Sequence, residues 1–107
     1  MARRLTWSIE AIEDVEAIAS YIERDSAWYA RVVTSRIVEI AEHVVEFPQA
    51  GRVVPEVGNE QIRERFVYSY RVIYCVYPDR ILLIAVIHGS RLLQSLLPEI
   101  EKRLMRE

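Results

Sequence analysis

Arginine is placed unexpectedly along residues 63–91, RERFVYSYRVIYCVYPDRILLIAVIHGSR. Arg63 and Arg65 open the stretch, Arg71 interrupts an apolar run, and Arg91 closes it three residues after His88. Guanidinium forks grip phosphate through paired N–H donors and can stabilise the charge that builds on phosphorus during transfer. Cleavage of RNA through its own 2′-hydroxyl asks only for such cations, one proton acceptor and one proton donor. His88 follows an apolar run and precedes Gly89-Ser90-Arg91, where a chain leaving a sheet can present a side chain to a cleft. Histidine is the residue type suited to moving a proton there. The candidate catalytic set is therefore Arg71, Arg91 and His88. The candidate contacts for a partner or nucleic acid are Arg63, Arg65, Arg71 and Arg91. The competing account gives each arginine an ion pair with Glu64, Glu56 or the acidic helices, and gives His88 a structural hydrogen bond.

Other chemistries find no footing. There is no glycine-rich phosphate loop, no HExxH or paired-histidine spacing and no Ser/His/Asp order. Cys75 is the only cysteine, so an internal disulfide and a multi-cysteine zinc site are excluded. In its apolar strand it acts as a small hydrophobe. No metal and no cofactor are expected. His43, near the end of a helix, is expected to interact with the local carbonyl dipoles.

The elements that must hold these residues follow from periodicity. Residues 3–7 are a short extended segment. Ser8 is an N-cap for a helix with Ile12, Val15, Ile18, Ala19 and Ile22 on its buried stripe. Arg24-Asp25-Ser26 separates it from a second helix, about Ala27 to Glu46, buried through Ala30, Val33, Ile37, Ile40, Ala41 and Val44. So short a link makes an antiparallel hairpin, with Tyr21, Trp28 and Tyr29 stapling the bend. Phe47-Pro48 ends the helix, and Arg52 to Glu60 reads as a loop. Gln61 to Val67 alternates, placing Ile62 and Phe66 on one face and a basic pair, Arg63 and Arg65, on an outer one. Tyr70 to Tyr77 is a central strand, Pro78-Asp79 a tight turn, and Ile81 to Ile87 a second inner strand. Leu92 to Arg106 is helical, with Pro98 kinking it or starting it afresh. The prediction is α+β: an N-terminal strand, an antiparallel helical hairpin packed on an antiparallel β-sheet meander, and a C-terminal helix.

At 107 residues the chain is a single domain, 1–107, with apolar content enough for a core without staples. Its longest unbroken apolar run, Ile81 to Ile87, is too short to cross a bilayer, so no membrane partner is expected. Arg3 and Arg4 are followed by acids rather than an apolar stretch, so no signal peptide is read, and a reducing cytoplasm fits. Net charge is −2, but residues 1–60 hold 6 Arg and 11 Asp/Glu while residues 61–107 hold 8 Lys/Arg and 5 Asp/Glu. The balance shifts from −5 to +3, which permits a local basic face on an acidic molecule.

Several of these segments together resemble the RelE/ParE superfamily of toxins from type II toxin–antitoxin systems. The likeness lies in Ser8-Ile9-Glu10-Ala11-Ile12-Glu13-Asp14-Val15, Tyr21-Ile22, Phe47-Pro48 and Gly51-Arg52. Above all it lies in Tyr70-Arg71-Val72-Ile73-Tyr74 and Val86-Ile87-His88-Gly89-Ser90-Arg91, and it extends to about residue 97. The resemblance implies a small α+β toxin neutralised by a cognate antitoxin, of ribbon-helix-helix type for the ParE-like branch. RelE-like members cut mRNA on the ribosome; ParE-like members poison DNA gyrase. Arg71 and Arg91 match the two arginines of the RelE-like site, and Arg63 and Arg65 fall near its paired lysines if one residue is gapped. Leu97 stands where that site has its tyrosine, and a leucine transfers no proton. Overall acidity departs too, since affinity for ribosomal RNA falls steeply without positive charge. The expectation is a ParE-like gyrase poison. The alternatives are a RelE-like endoribonuclease using His88, and an inactive member that only binds antitoxin.

Overall fold

The computed structural model describes residues 3–90 and 97–106. Strands β1 (Arg4–Trp7), β2 (Arg52–Val53), β3 (Ile62–Val67), β4 (Tyr70–Val76) and β5 (Arg80–His88) form one sheet in the order β1-β5-β4-β3-β2. Helices α1 (Ile9–Glu23) and α2 (Ala27–Glu46) cover one face, and α3 (Leu97–Met105) packs on the other through Ile100 and Leu104. The α+β class and the predicted element order are those of the structure. The sheet is mixed, however, not a pure meander. β1 runs parallel to β5 in the register Arg4↔Arg80 to Trp7↔Leu83, while all other pairs are antiparallel.

Both faces of the inner strands are covered, which is why β5 reads as an unbroken apolar run: Ile81 to Ile87 are all buried. Between Ile73↔Ala85 and Tyr74↔Leu83 the β4–β5 register shifts by one residue, a bulge at Ile84. Ile84 and Ala85 consequently both face the α3 side.

Ser8 caps α1 as expected, its hydroxyl accepting from Ala11 N–H at 3.0 Å, and Ser26 caps α2 likewise from Tyr29. The α2 stripe is buried residue for residue as read from its spacing. The α1 stripe is rotated: Ala11 and Ile22 are buried, Val15 and Ile18 partly so, and Ile12 is 45% exposed. Tyr21, Trp28 and Tyr29 do not staple the helical bend. All three are exposed, and Tyr29 leans instead on Tyr68, ring centroids 6.2 Å apart. Within the expected loop, Arg52-Val53 pairs with β3 as the edge strand β2. Pro98 lies in the first turn of α3, where its missing N–H costs nothing. Residues 92–96 of the expected helix lie outside the described residues. No helix among the described residues is long and apolar enough to cross a membrane.

Candidate functional site

Alternation along β3 decides where its charges go. Ile62, Glu64 and Phe66 share the face that meets α3; Arg63, Arg65 and Val67 share the face under α1 and α2. Phe66 pairs with Arg71 across β3–β4, so Arg71 belongs to the Glu64 face. The candidate contact arginines thus do not share one face: Arg63 and Arg65 lie on one side of the sheet and Arg71 on the other. Arg91 lies outside the described residues.

Arg71 is 4% exposed and Glu64 1%. Arg71 Nε donates to Glu64 Oε1 at 2.5 Å, and its Nη2 lies against the same oxygen and 3.5 Å from Glu56 Oε1. Glu64 Oε2 accepts from Arg52 Nε at 2.6 Å. The Phe66 ring lies 5.5 Å from the Arg52 guanidinium and 5.8 Å from that of Arg71, a cation–π contact to each. A charge this deeply buried survives only when paired; stripping one partner from such a pair costs about 3–5 kcal/mol. Arg71 is accordingly a structural cation in this fold, whatever else it contacts.

On the opposite face, Arg63 is turned to the backbone, donating to Glu60 C=O at 3.0 Å and Gly51 C=O at 2.9 Å. Arg65 Nη1 lies 3.2 Å from His43 Nδ1. Arginine has no acceptor, so His43 accepts there. His43, in the last turn of α2 as expected, thus pairs with Arg65 and meets the Phe47 ring at a tilt, centroids 5.1 Å apart.

His88 faces α1, not Arg71. It pairs with Tyr70, the residue before Arg71, and meets its ring edge-on at 5.5 Å. Ser90 N–H donates to His88 Nδ1 at 3.1 Å, with the Ser90 hydroxyl 2.7 Å from the same nitrogen. Nδ1 is therefore an acceptor and Nε2 carries the proton. Asp14, Tyr21, Tyr70, Val86, His88 and Ser90 line an open cavity of about 510 Å³ between α1 and β5. Its carboxylate is occupied: Asp14 Oδ2 accepts from Val86 N–H at 3.0 Å and from Arg103 at 2.7 Å. Burial pushes the Tyr70 hydroxyl above its ordinary value, helped by Tyr29 and Tyr21, so it is no base at neutral pH. Burial likewise raises the Cys75 thiol, in keeping with an inert side chain.

The structure therefore brings together Arg52, Glu56, Glu64, Phe66 and Arg71 on one face, and His88, Tyr70 and Asp14 on the other. It places His88 and Arg71 on opposite sides of the sheet. Arg52, part of the Gly51-Arg52 segment of the family resemblance, was not among the candidate site residues. The signal that could have found it is Glu64, a carboxylate at the apolar beat of a strand, which must recruit cations.

Against known proteins, a family model described as the ParE toxin of the type II toxin–antitoxin system, parDE, matches residues 5–93. No curated protein matches in sequence. Among solved structures, the chromosomal ParDE toxin–antitoxin system from P. aeruginosa shares the fold with a TM-score of 0.69 at 17% identity, over 83% of this chain and 98% of that one. The YoeB dimer from Staphylococcus aureus aligns with a TM-score of 0.58 at 14% identity, over 82% and 98%.

Proposed function

This chain belongs to the ParE family of toxins from type II toxin–antitoxin systems, and we propose that it arrests growth by binding DNA gyrase, not by cutting RNA. The observation that carries this reading is the commitment of Arg71 to Glu64 inside the sheet, with His88 on the other side. A metal-free ribonuclease needs phosphate-binding cations and a proton carrier around one bond. Here the cation is paired to an internal carboxylate and the histidine addresses a different cavity. An acidic chain is also poorly matched to ribosomal RNA.

A cognate antitoxin, of ribbon-helix-helix type, holds the toxin inactive in the cytoplasm. Family membership and the likeness to a ParDE system support a cognate antitoxin as the partner.

Purified full-length chain is expected to inhibit supercoiling by gyrase, and its induction without antitoxin to provoke DNA damage signalling and filamentation. His88→Ala, a change at an exposed position, should leave that inhibition unchanged. Cleavage of translated messages that His88→Ala abolishes would replace this reading with the ribosome-dependent endoribonuclease. Antitoxin binding without any growth arrest would mark an inactive member.

A further inference from the structure

Each oxygen of the Glu64 carboxylate is taken by a different guanidinium, Oε1 by Arg71 and Oε2 by Arg52. Two guanidinium forks around one anion is the arrangement by which proteins hold phosphate. The carboxylate is supplied by the chain itself, at a strand position where the pattern Ile62, Glu64, Phe66 calls for an apolar side chain. Two observations set the cluster apart from an ordinary buried pair. Arg71 Nη2 is buried and lies against Glu64 Oε1 and 3.5 Å from Glu56 Oε1, yet makes no hydrogen bond of proper geometry. The cluster also opens outward, because the Arg52 side chain is 59% exposed and Phe66 51%. Glu56, 3.5 Å from Arg71 and partly exposed, adds a second negative charge beside this opening.

We infer that Glu64 is a specificity-determining residue, an internal anion that fills an oxyanion seat between Arg52 and Arg71 and so keeps this face from holding the phosphodiesters of RNA. The inference rests on the reading of the chain as a binding toxin and names the residue that excludes the nuclease-like alternative. Cutting the Glu64 side chain back to alanine vacates the seat. The two guanidiniums then keep only Glu56 nearby, 3.5 Å from Arg71 Nη2, and a tetrahedral oxyanion becomes the group that satisfies them.

The test compares wild type with Glu64→Ala in the whole 107-residue chain. Inorganic phosphate is titrated against chloride at matched ionic strength with the melting temperature as readout, and a fluorescent single-stranded oligoribonucleotide is titrated by anisotropy. Wild type should show no saturable response to phosphate. E64A should bind phosphate and the oligoribonucleotide at least about tenfold more tightly than wild type, as expected when charge-assisted donors are freed. Arg52→Gln in the E64A background should remove the gain. If E64A is unfolded in chloride, phosphate should restore a cooperative melting transition, because a ligand of the native state stabilises it. The inference is overturned if E64A responds to phosphate no more than to chloride, stays unfolded in both, or binds phosphate but not RNA. It is equally overturned if wild type binds either ligand as well as the variant. None of these readouts involves gyrase, so a failure here leaves the gyrase assay to stand or fall separately.

Discussion

The hydroxyl of Tyr74 joins β4 to the turn that follows α2. It accepts from Gly51 N–H and donates to Pro48 C=O, both at 2.9 Å, and the residue is fully buried. Gly51 is required beside it, since a Cβ there would collide with that hydroxyl and approach Glu64 C=O to 2.6 Å. Tyr74→Phe leaves both backbone groups without their partner and should cost about 1–3 kcal/mol, measurable by denaturant unfolding. Burial also raises the ionisation of Tyr74 above its ordinary value of 10.0, partly offset by the Gly51 N–H, Arg63 and Arg65. The folded chain thus holds this proton more tightly than the unfolded chain. Its contribution is whole below pH 10.0 and is lost as pH rises from there through the folded value. Stability of wild type should fall more steeply in that alkaline window than stability of the variant. None of this was legible beforehand: a tyrosine in an apolar strand looks the same whether its hydroxyl is bonded or not. Glu64 was visible only as a partner for arginines, because which face of β3 is closed depends on α3.

Helix α1 is held at its start by one side chain with two tasks. Ser8 Oγ accepts from Ala11 N–H and lies 3.2 Å from Ile84 C=O, to which it donates. The cap thereby also satisfies an edge carbonyl of β5 just beyond the end of β1. Ser8→Ala removes both bonds at a buried position and should destabilise by about 1–2 kcal/mol, read as a lowered melting temperature with α1 intact by circular dichroism. The capping role was legible, as were the limits and buried stripe of α2, because twenty residues of strong period leave little choice of phase. The phase of α1 was less so. Its apolar residues spread over a wide arc, and Ala11 is selected for the closest approach because it is small. β2 escaped notice because two residues carry no period; it exists through pairing with Arg63 and Glu64. Arg63 and Arg65 alternated as predicted, yet face the helices, because alternation separates faces without saying which is covered.

Two separate cores flank the sheet, and they are closed by different parts of the chain. The helical hairpin closes the first, and α3 contributes Ile100 and Leu104 to the second. α3 is fastened by Arg103, which donates to Asp14 at 2.7 Å and Ile84 C=O at 3.0 Å, and by the pair Arg106–Glu10. A chain ending before Leu97 should keep the hairpin core but uncover Ile73, Leu82, Ile84 and Ile87. It should bind a hydrophobic dye and self-associate on size-exclusion chromatography, whereas full-length chain should do neither. The sheet also imposes an order on synthesis. β1, made before the other strands, finds its place only beside β5, and the Ser8–Ile84 contact that finishes this junction spans 76 positions. Contacts so far apart form slowly and only once both ends exist. A nascent chain still short of β5 therefore carries an unfinished sheet, and harm to the cell that makes it must wait until that strand has emerged.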